Sequence, residues 1–138
     1  MVTAVLASVT LFASQFAGNW TCANVPWRIA PVAGTPWTAV HWGGEGRDGG
    51  TAYVGYVPAR HVWVYEDFHG DGSLAEPSSP GPTDDGWVWT GAYYNGPNVL
   101  HGRIIWKLNA GSTRIDRTFF TRMSTGFKKT GSDVCTRR

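Results

Sequence analysis

The sequence predicts an all-β protein, folded as a single antiparallel up-and-down barrel of about nine or ten strands. Short alternating apolar segments are separated by turn residues, and the 138-residue chain contains 18 Gly and 8 Pro. No long window has the apolar period of a helix. The only cysteines, Cys22 and Cys135, lie near the chain ends, and a closed sheet brings its first and last strands together.

The first strand is expected at residues 18–22, where Trp20 and Cys22 point to the same face because side chains alternate along a strand. A disulfide between Cys22 and Cys135 would join this strand to the last one. Closing so long a loop contributes about 4.7 kcal/mol on the chain-entropy model. Two free buried thiols are the alternative.

Residues 1–15 are interpreted as an apolar leader and residues 16–138 as the barrel domain. The charge-free segment at the start is too short for a transmembrane helix, and it has the apolar run and small-residue end of a secretory signal without the basic beginning. A signal peptide, a short helix that plugs one barrel end and a disordered leader remain alternatives. We predict a secreted or periplasmic protein without a membrane span, a location that suits a disulfide.

The later strands follow in chain order from alternation and from β-branched and aromatic content. They are expected at residues 27–31, 37–42, 51–57, 61–68, 86–94, 101–108, 113–123 and 126–136. The segment Glu76–Asp85 contains Pro77, Pro80 and Pro82, so we expect an exposed, mobile loop there.

Several motifs carry a family resemblance. Gly18-Asn19-Trp20 opens the first strand, and further motifs along residues 16–138 are Gly55-Tyr56, Ser79-Pro80-Gly81, Trp89-Thr90-Gly91 and Cys135-Thr136-Arg137. In these motifs the chain resembles the calycin-like barrels, which include lipocalins and nitrobindin-like proteins, and above all a secreted bacterial calycin-like family of unknown function. The resemblance implies a barrel and a leader but no activity.

The same resemblance implies an arginine that packs on Trp20, for which Arg122 and Arg137 are the candidates. It does not extend to haem or fatty-acid binding. The chain has no C-terminal helix with an axial His, and Pro26-Trp27 follows the first strand where fatty-acid-binding proteins carry a two-helix lid. We therefore expect no cofactor.

Several function classes are excluded by composition and spacing. The net charge is +2 and the basic residues are scattered, so no nucleic-acid partner is expected. There is no Ser-His-Asp order, phosphate loop or zinc spacing, and no catalytic or metal-binding residue is assigned. Oxygen ligands alternate over Asp67–Ser73 as in a calcium loop, but His69 suits a hard cation poorly, and a hairpin turn through Asp71-Gly72 explains the pattern.

The strongest functional signal is the aromatic content, with 8 Trp and 5 Tyr. These side chains cannot all face water, so they fill the interior or line a cavity. We expect a site for a small apolar or aromatic molecule. Its expected lining residues are Trp37, His41, Tyr53, Trp63, Tyr65, Trp87, Trp89, Tyr93 and Arg103. Gly91 is expected to leave the gap that a planar ligand occupies, with the segment 76–85 at the barrel mouth.

Two other functions stay open. Tyr65, Glu66 and Asp67 could combine with Tyr93 and His41 into an acid–base cluster of a cyclase, isomerase or decarboxylase-like barrel enzyme. A secreted carbohydrate-binding module could instead stack sugar rings on surface aromatics. The binding interpretation is preferred to the enzyme, because a sequence does not show whether these residues converge.

Overall fold

A computed structural model describes residues 11–138. Residues 11–16 are helical and are called α1, and almost all other regular structure in the described residues is β. The strands are β1 Gly18–Cys22, β2 Val25–Pro31, β3 Thr38–Gly43, β4 Gly49–Val57, β5 Val62–His69, β6 Leu74–Ala75, β7 Ser78–Ser79, β8 Pro82–Thr83, β9 Gly86–Asn95, β10 Asn98–Leu108, β11 Arg114–Met123 and β12 Gly126–Arg137.

The strands form one closed antiparallel barrel, as predicted. The short strands β6 and β7 both lie between β5 and β9, so together they fill one position of the ring. The strand β8 pairs only with the start of β9. Counted in this way, the barrel has ten strands.

The barrel closes where β1 pairs with β12. Trp20 faces Arg137 and Cys22 faces Cys135 in this register. The two cysteines form the predicted disulfide, and both are buried. The first and last strands are therefore joined by hydrogen bonds and by a covalent bond at the same place.

The helix α1 closes one end of the barrel. Its Phe12 and Phe16 side chains are fully buried and meet the Trp87 ring edge-on, at centroid distances of 5.3 and 6.1 Å. Trp87 Nε1 donates a hydrogen bond of 2.8 Å to Gln15 Oε1. Residues 11–16 thus fill the barrel end as the plug interpretation of the leader expects, while residues 1–10 lie outside the described residues. No helix in the described part of the chain has the length and apolar character needed to cross a membrane.

Arg137 fixes α1 to the barrel end. Its guanidinium lies 4.1 Å from the centroid of the Trp20 ring, and it donates hydrogen bonds to the carbonyl oxygens of Ala17 at 2.6 Å and Ser112 at 2.8 Å. Of the two candidate arginines, Arg137 is therefore the one that stacks on Trp20. Arg122 is exposed near the opposite end, at the turn between β11 and β12.

Residues 77–79 of the proline-rich segment are part of the barrel wall, so the expectation of an exposed loop over 76–85 is wrong there, whereas residues 82–85 are exposed. Ser79 is buried and pairs with Trp63 of β5, and Ser78 pairs with Thr90 of β9. The Pro77 carbonyl accepts a hydrogen bond of 2.9 Å from the Tyr65 N–H. Proline lacks a donor but keeps its acceptor, so these residues interrupt the strand without leaving the sheet.

Loss of the Cys22–Cys135 bridge should lower the thermal midpoint without abolishing the fold. The bridge restricts the unfolded chain, by about 4.7 kcal/mol for a loop of roughly 100 residues, whereas the β1–β12 pairing survives reduction. Calorimetry of the oxidised and reduced protein measures the shift, and thiol titration of the unfolded protein verifies the bridge. Two free thiols before reduction, or an unchanged midpoint, would contradict this account.

Arg137→Ala should destabilise the protein by roughly 1–3 kcal/mol, because it removes the charged donor from the Ala17 and Ser112 carbonyls. Arg122→Ala is the matched control, since it deletes the same charge from an exposed position and should stay within about 0.5 kcal/mol of the parent. Urea unfolding measures both variants. Equal losses would show that Arg137 does not anchor α1.

Candidate functional site

The barrel contains a cavity in the half away from α1. We call the end that carries the turns at residues 44–48, 70–72, 96–97 and 124–125 the mouth. An inner cavity of about 230 Å³ adjoins an outer chamber of about 290 Å³ towards the mouth. The inner cavity is lined by Trp27, Trp42, Tyr65, Asp67, His69, Ala75, Pro77, Trp89, Ile104, Trp106, Arg117 and Phe119.

Strand β5 supplies a graded series of inward side chains. Trp63, Tyr65, Asp67 and His69 share one face because residues two apart point the same way. Trp63 packs deep in the barrel against Trp87, at a centroid distance of 5.0 Å. Tyr65, Asp67 and His69 follow in the direction of the mouth, so the face changes from apolar to polar as the strand leaves the plugged end.

Asp67 and His69 form a hydrogen-bonded pair in the cavity wall. Trp42 Nε1 donates to Asp67 Oδ1 at 2.9 Å, and Asp67 Oδ2 lies 3.0 Å from His69 Nε2. An ionised Asp67 accepts both bonds, which places a proton on His69 Nε2 and leaves Nδ1 as an acceptor when the ring is neutral. The carboxylate therefore fixes the orientation of the imidazole.

Arg117 enters the same cavity from β11 with its own counterion. Its Nε and Nη2 atoms donate to the two carboxylate oxygens of Asp133 at 2.7 and 2.6 Å. The guanidinium also lies 4.5 Å from the centroid of the Trp27 ring and 5.4 Å from that of Phe119. A buried cation is tolerated when it is paired in this bidentate way, so Arg117 adds little net charge to the cavity.

Tyr65 contributes a neutral hydroxyl group to the site. Its ring meets Trp89 and Trp106 edge-on, at centroid distances of 5.4 and 5.9 Å. Burial raises the pKa of the hydroxyl well above its usual value, the charge of Asp67 raises it further, and Arg117 opposes both. The hydroxyl stays protonated at physiological pH and can donate a hydrogen bond.

The structure divides the sequence-predicted site residues between the cavity and the core. Tyr65 and Trp89 line the inner cavity, and Tyr93 lines the outer chamber. Trp63 and Trp87 are buried near the plugged end, where both rings contact Phe12. These two tryptophans fill the interior instead of lining the cavity.

Three predicted residues lie outside the barrel, so their placement in the site is wrong. His41 is exposed on the outer face of β3, with its Nδ1 atom 3.1 Å from Thr51 Oγ1. Trp37 covers the outer side of Gly55, and Tyr53 is 41% exposed. Side chains alternate between the two faces along β3 and β4, and Val40 and Val54 take inward positions. The residues at odd numbers on these strands therefore point outward.

Arg103 lies on the outer face of β10, between the inward positions of Gly102 and Ile104. Its guanidinium lies 4.2 Å from the centroid of the Phe127 ring, and Nε donates to Thr90 Oγ1 at 3.3 Å. Thr90 is exposed on the outer face of β9, so Arg103 borders the outer chamber without entering the inner cavity.

The acid–base cluster expected around His41 is therefore not assembled, and a different histidine takes its place beside Asp67. His69 has no site role predicted from the sequence, yet extending the β5 alternation by two residues beyond Asp67 reaches it. Arg117, Trp27 and Trp42 were also missed. For the two tryptophans, the signal is the β2–β3 register, which makes them a facing pair with a centroid distance of 6.3 Å.

The gap expected at Gly91 is filled by the chain itself. A Cβ atom at this position would lie 2.6 Å from both the Glu76 carbonyl oxygen and the Pro77 Cα atom. The glycine is needed so that the proline-rich segment can pass close to β9. The expected gap is therefore occupied by the chain, and Gly91 borders the outer chamber beside this crossing.

No known protein family matches the chain, and no curated protein matches it significantly. Among residues 11–138, no three His, Cys, Asp or Glu side chains come together as a metal site would require. The site is therefore interpreted from its own geometry.

Gly91→Ala should destabilise the protein by roughly 1–3 kcal/mol, because the added methyl group collides with backbone atoms of Glu76 and Pro77 that have little freedom to move. Gly131→Ala is the control, since its Cβ atom would meet nothing closer than Phe119 Cδ2 at 3.9 Å. Urea unfolding of both variants tests this. A Gly91→Ala protein as stable as the parent would show that the crossing is loosely packed.

Proposed function

We propose that the protein is a calycin-like barrel that binds a small, largely apolar or aromatic molecule in the inner cavity. The observation that carries the proposal is a barrel interior that is filled at one end and open at the other, with a few polar groups among aromatic walls. Ligand sites in proteins have this composition, because apolar walls supply affinity and a few polar groups fix orientation.

The dimensions of the cavity suit a ligand with about one or two rings. The inner cavity of about 230 Å³ exceeds the roughly 150 Å³ of an engineered apolar cavity that holds benzene. Trp42, Tyr65 and Trp89 offer ring faces and edges to a planar molecule, which favours offset or edge-on packing. The outer chamber adds room for a substituent that extends towards the mouth.

The Cys22–Cys135 disulfide supports a secreted or periplasmic location for this binding, since disulfides persist in oxidising compartments. The carbohydrate-binding alternative is less favoured, because every Trp side chain is buried or half-buried. A flat platform of exposed indole rings would be needed to stack sugars from solution.

Acid–base catalysis is the second candidate, and the pairing of Asp67 with His69 favours it. An imidazole oriented by a carboxylate, beside the protonated Tyr65 hydroxyl, is an arrangement that moves protons in enzymes. Recovery of a bound compound distinguishes the two functions, because a binding protein returns it unchanged and an enzyme converts it.

Small aromatic compounds should bind to the parent protein and should change its Trp fluorescence. Ala75→Phe should weaken binding by at least about tenfold, since Ala75 lines the inner cavity and a phenyl ring would occupy it. Isothermal titration calorimetry measures the affinities. Ala59→Phe adds the same ring at an exposed position in the turn between β4 and β5 and should bind as the parent does. Equal binding by both variants would place the ligand elsewhere.

A further inference from the structure

The inner cavity has an unbalanced charge. Arg117 is compensated by the bidentate carboxylate of Asp133. Asp67, in contrast, accepts hydrogen bonds from Trp42 Nε1 and, when His69 is neutral, from a neutral imidazole. With His69 neutral, these donors satisfy the carboxylate oxygens without cancelling the charge, so the described lining of the inner cavity has one negative charge in excess.

Aromatic side chains lie around that charge. Trp42 of β3 donates a hydrogen bond to Asp67, Tyr65 precedes Asp67 on the same face of β5, and Trp89 of β9 lines the same cavity. The negative face of an aromatic ring attracts a cation, most strongly when water is excluded. The walls already accept one cation, because the Arg117 guanidinium lies 4.5 Å from the centroid of the Trp27 ring.

The Tyr65 hydroxyl is subject to the charges of both Asp67 and Arg117 in the cavity wall. After burial, the charge of Asp67 is the larger influence that raises the pKa of its hydroxyl, and the opposing effect of Arg117 is smaller. Asp67 thus acts on the Tyr65 hydroxyl more strongly than Arg117 does.

On the basis of the proposed binding function, we propose that the ligand is an aromatic amine, with its ring against Trp42 and Trp89 and its ammonium group donating to Asp67. The Asp67 oxygens each have a lone pair left after the bonds to Trp42 and His69. The ammonium group would supply the positive charge that the wall lacks. An anionic ligand would instead accept hydrogen bonds from the Arg117 N–H groups that Asp133 does not use. Tighter binding of the carboxylate compound in the test would indicate such a ligand.

The test compares three compounds that share a phenylethyl framework and differ in the charge of the end group: phenethylamine, 2-phenylethanol and 3-phenylpropionate. Calorimetry is performed at pH 8, where an ordinary imidazole is neutral and a primary amine is charged. We expect the amine to bind at least about tenfold more tightly than the alcohol, as a charge-assisted hydrogen bond provides, and the carboxylate to bind most weakly. Equal binding of amine and alcohol, or tighter binding of the carboxylate, overturns the proposal.

Asp67→Asn should erase the preference for the amine over the alcohol, because the amide removes the charge and keeps the shape. Asp84→Asn makes the same change at an exposed turn near the plugged end and should keep the preference. A preference that persists in Asp67→Asn overturns the proposal.

The comparison of the three compounds on the parent decides the proposal even if Asp67→Asn does not fold. It also distinguishes failure of the proposed ligand class from failure of the proposed binding function. Binding of the alcohol without a preference for the amine overturns the ligand class alone, whereas binding of none of the three overturns the proposed function as well.

Discussion

A closed sheet of ten strands encloses more volume than its own inward side chains readily fill, and the rest of the structure follows from this constraint. About eight strands give an interior that side chains just occupy. Here α1 supplies the missing volume at one end, where Phe12 and Phe16 pack among the tryptophans. Nothing equivalent enters from the mouth among the described residues, so the other half keeps a cavity. Both the α1 plug and the cavity therefore result from the excess volume inside the ten-stranded barrel.

Most of the fold could be predicted because the evidence for it is local. Alternation along a strand and glycine or asparagine at the turns are visible in short windows, and they located the long strands. The segment around Pro77 could not be predicted in this way. A proline stays in a sheet where the neighbouring strand requires only its carbonyl oxygen as an acceptor. The Tyr65 N–H requires only such an acceptor, and Pro77 retains one.

The candidate site was predictable only in part, because alternation tells which residues share a face and not which face is inside. The Tyr65 and Asp67 face was placed correctly, since large aromatics continue along it. On β3 the choice between His41 and Trp42 depends on the register with β2, where Trp42 meets Trp27 across the interior. The inward position of Arg117 was harder to predict from the sequence. A charged side chain is stable in the wall of an apolar cavity only when a counterion pairs with it, and here that counterion is Asp133 on the next strand.

The Cys22–Cys135 bridge determines how the molecule responds to mechanical tension. A force applied to the chain on the two sides of the pair passes through the sulfur–sulfur bond and not through the strands between the cysteines, which are 113 positions apart. While the protein is oxidised, such a load can detach α1 and the parts of β1 and β12 that lie outside the bridge. It cannot lengthen the strands between the two cysteines. Reduction makes that whole stretch extensible, so the redox state of one bond sets the length to which the protein can be stretched.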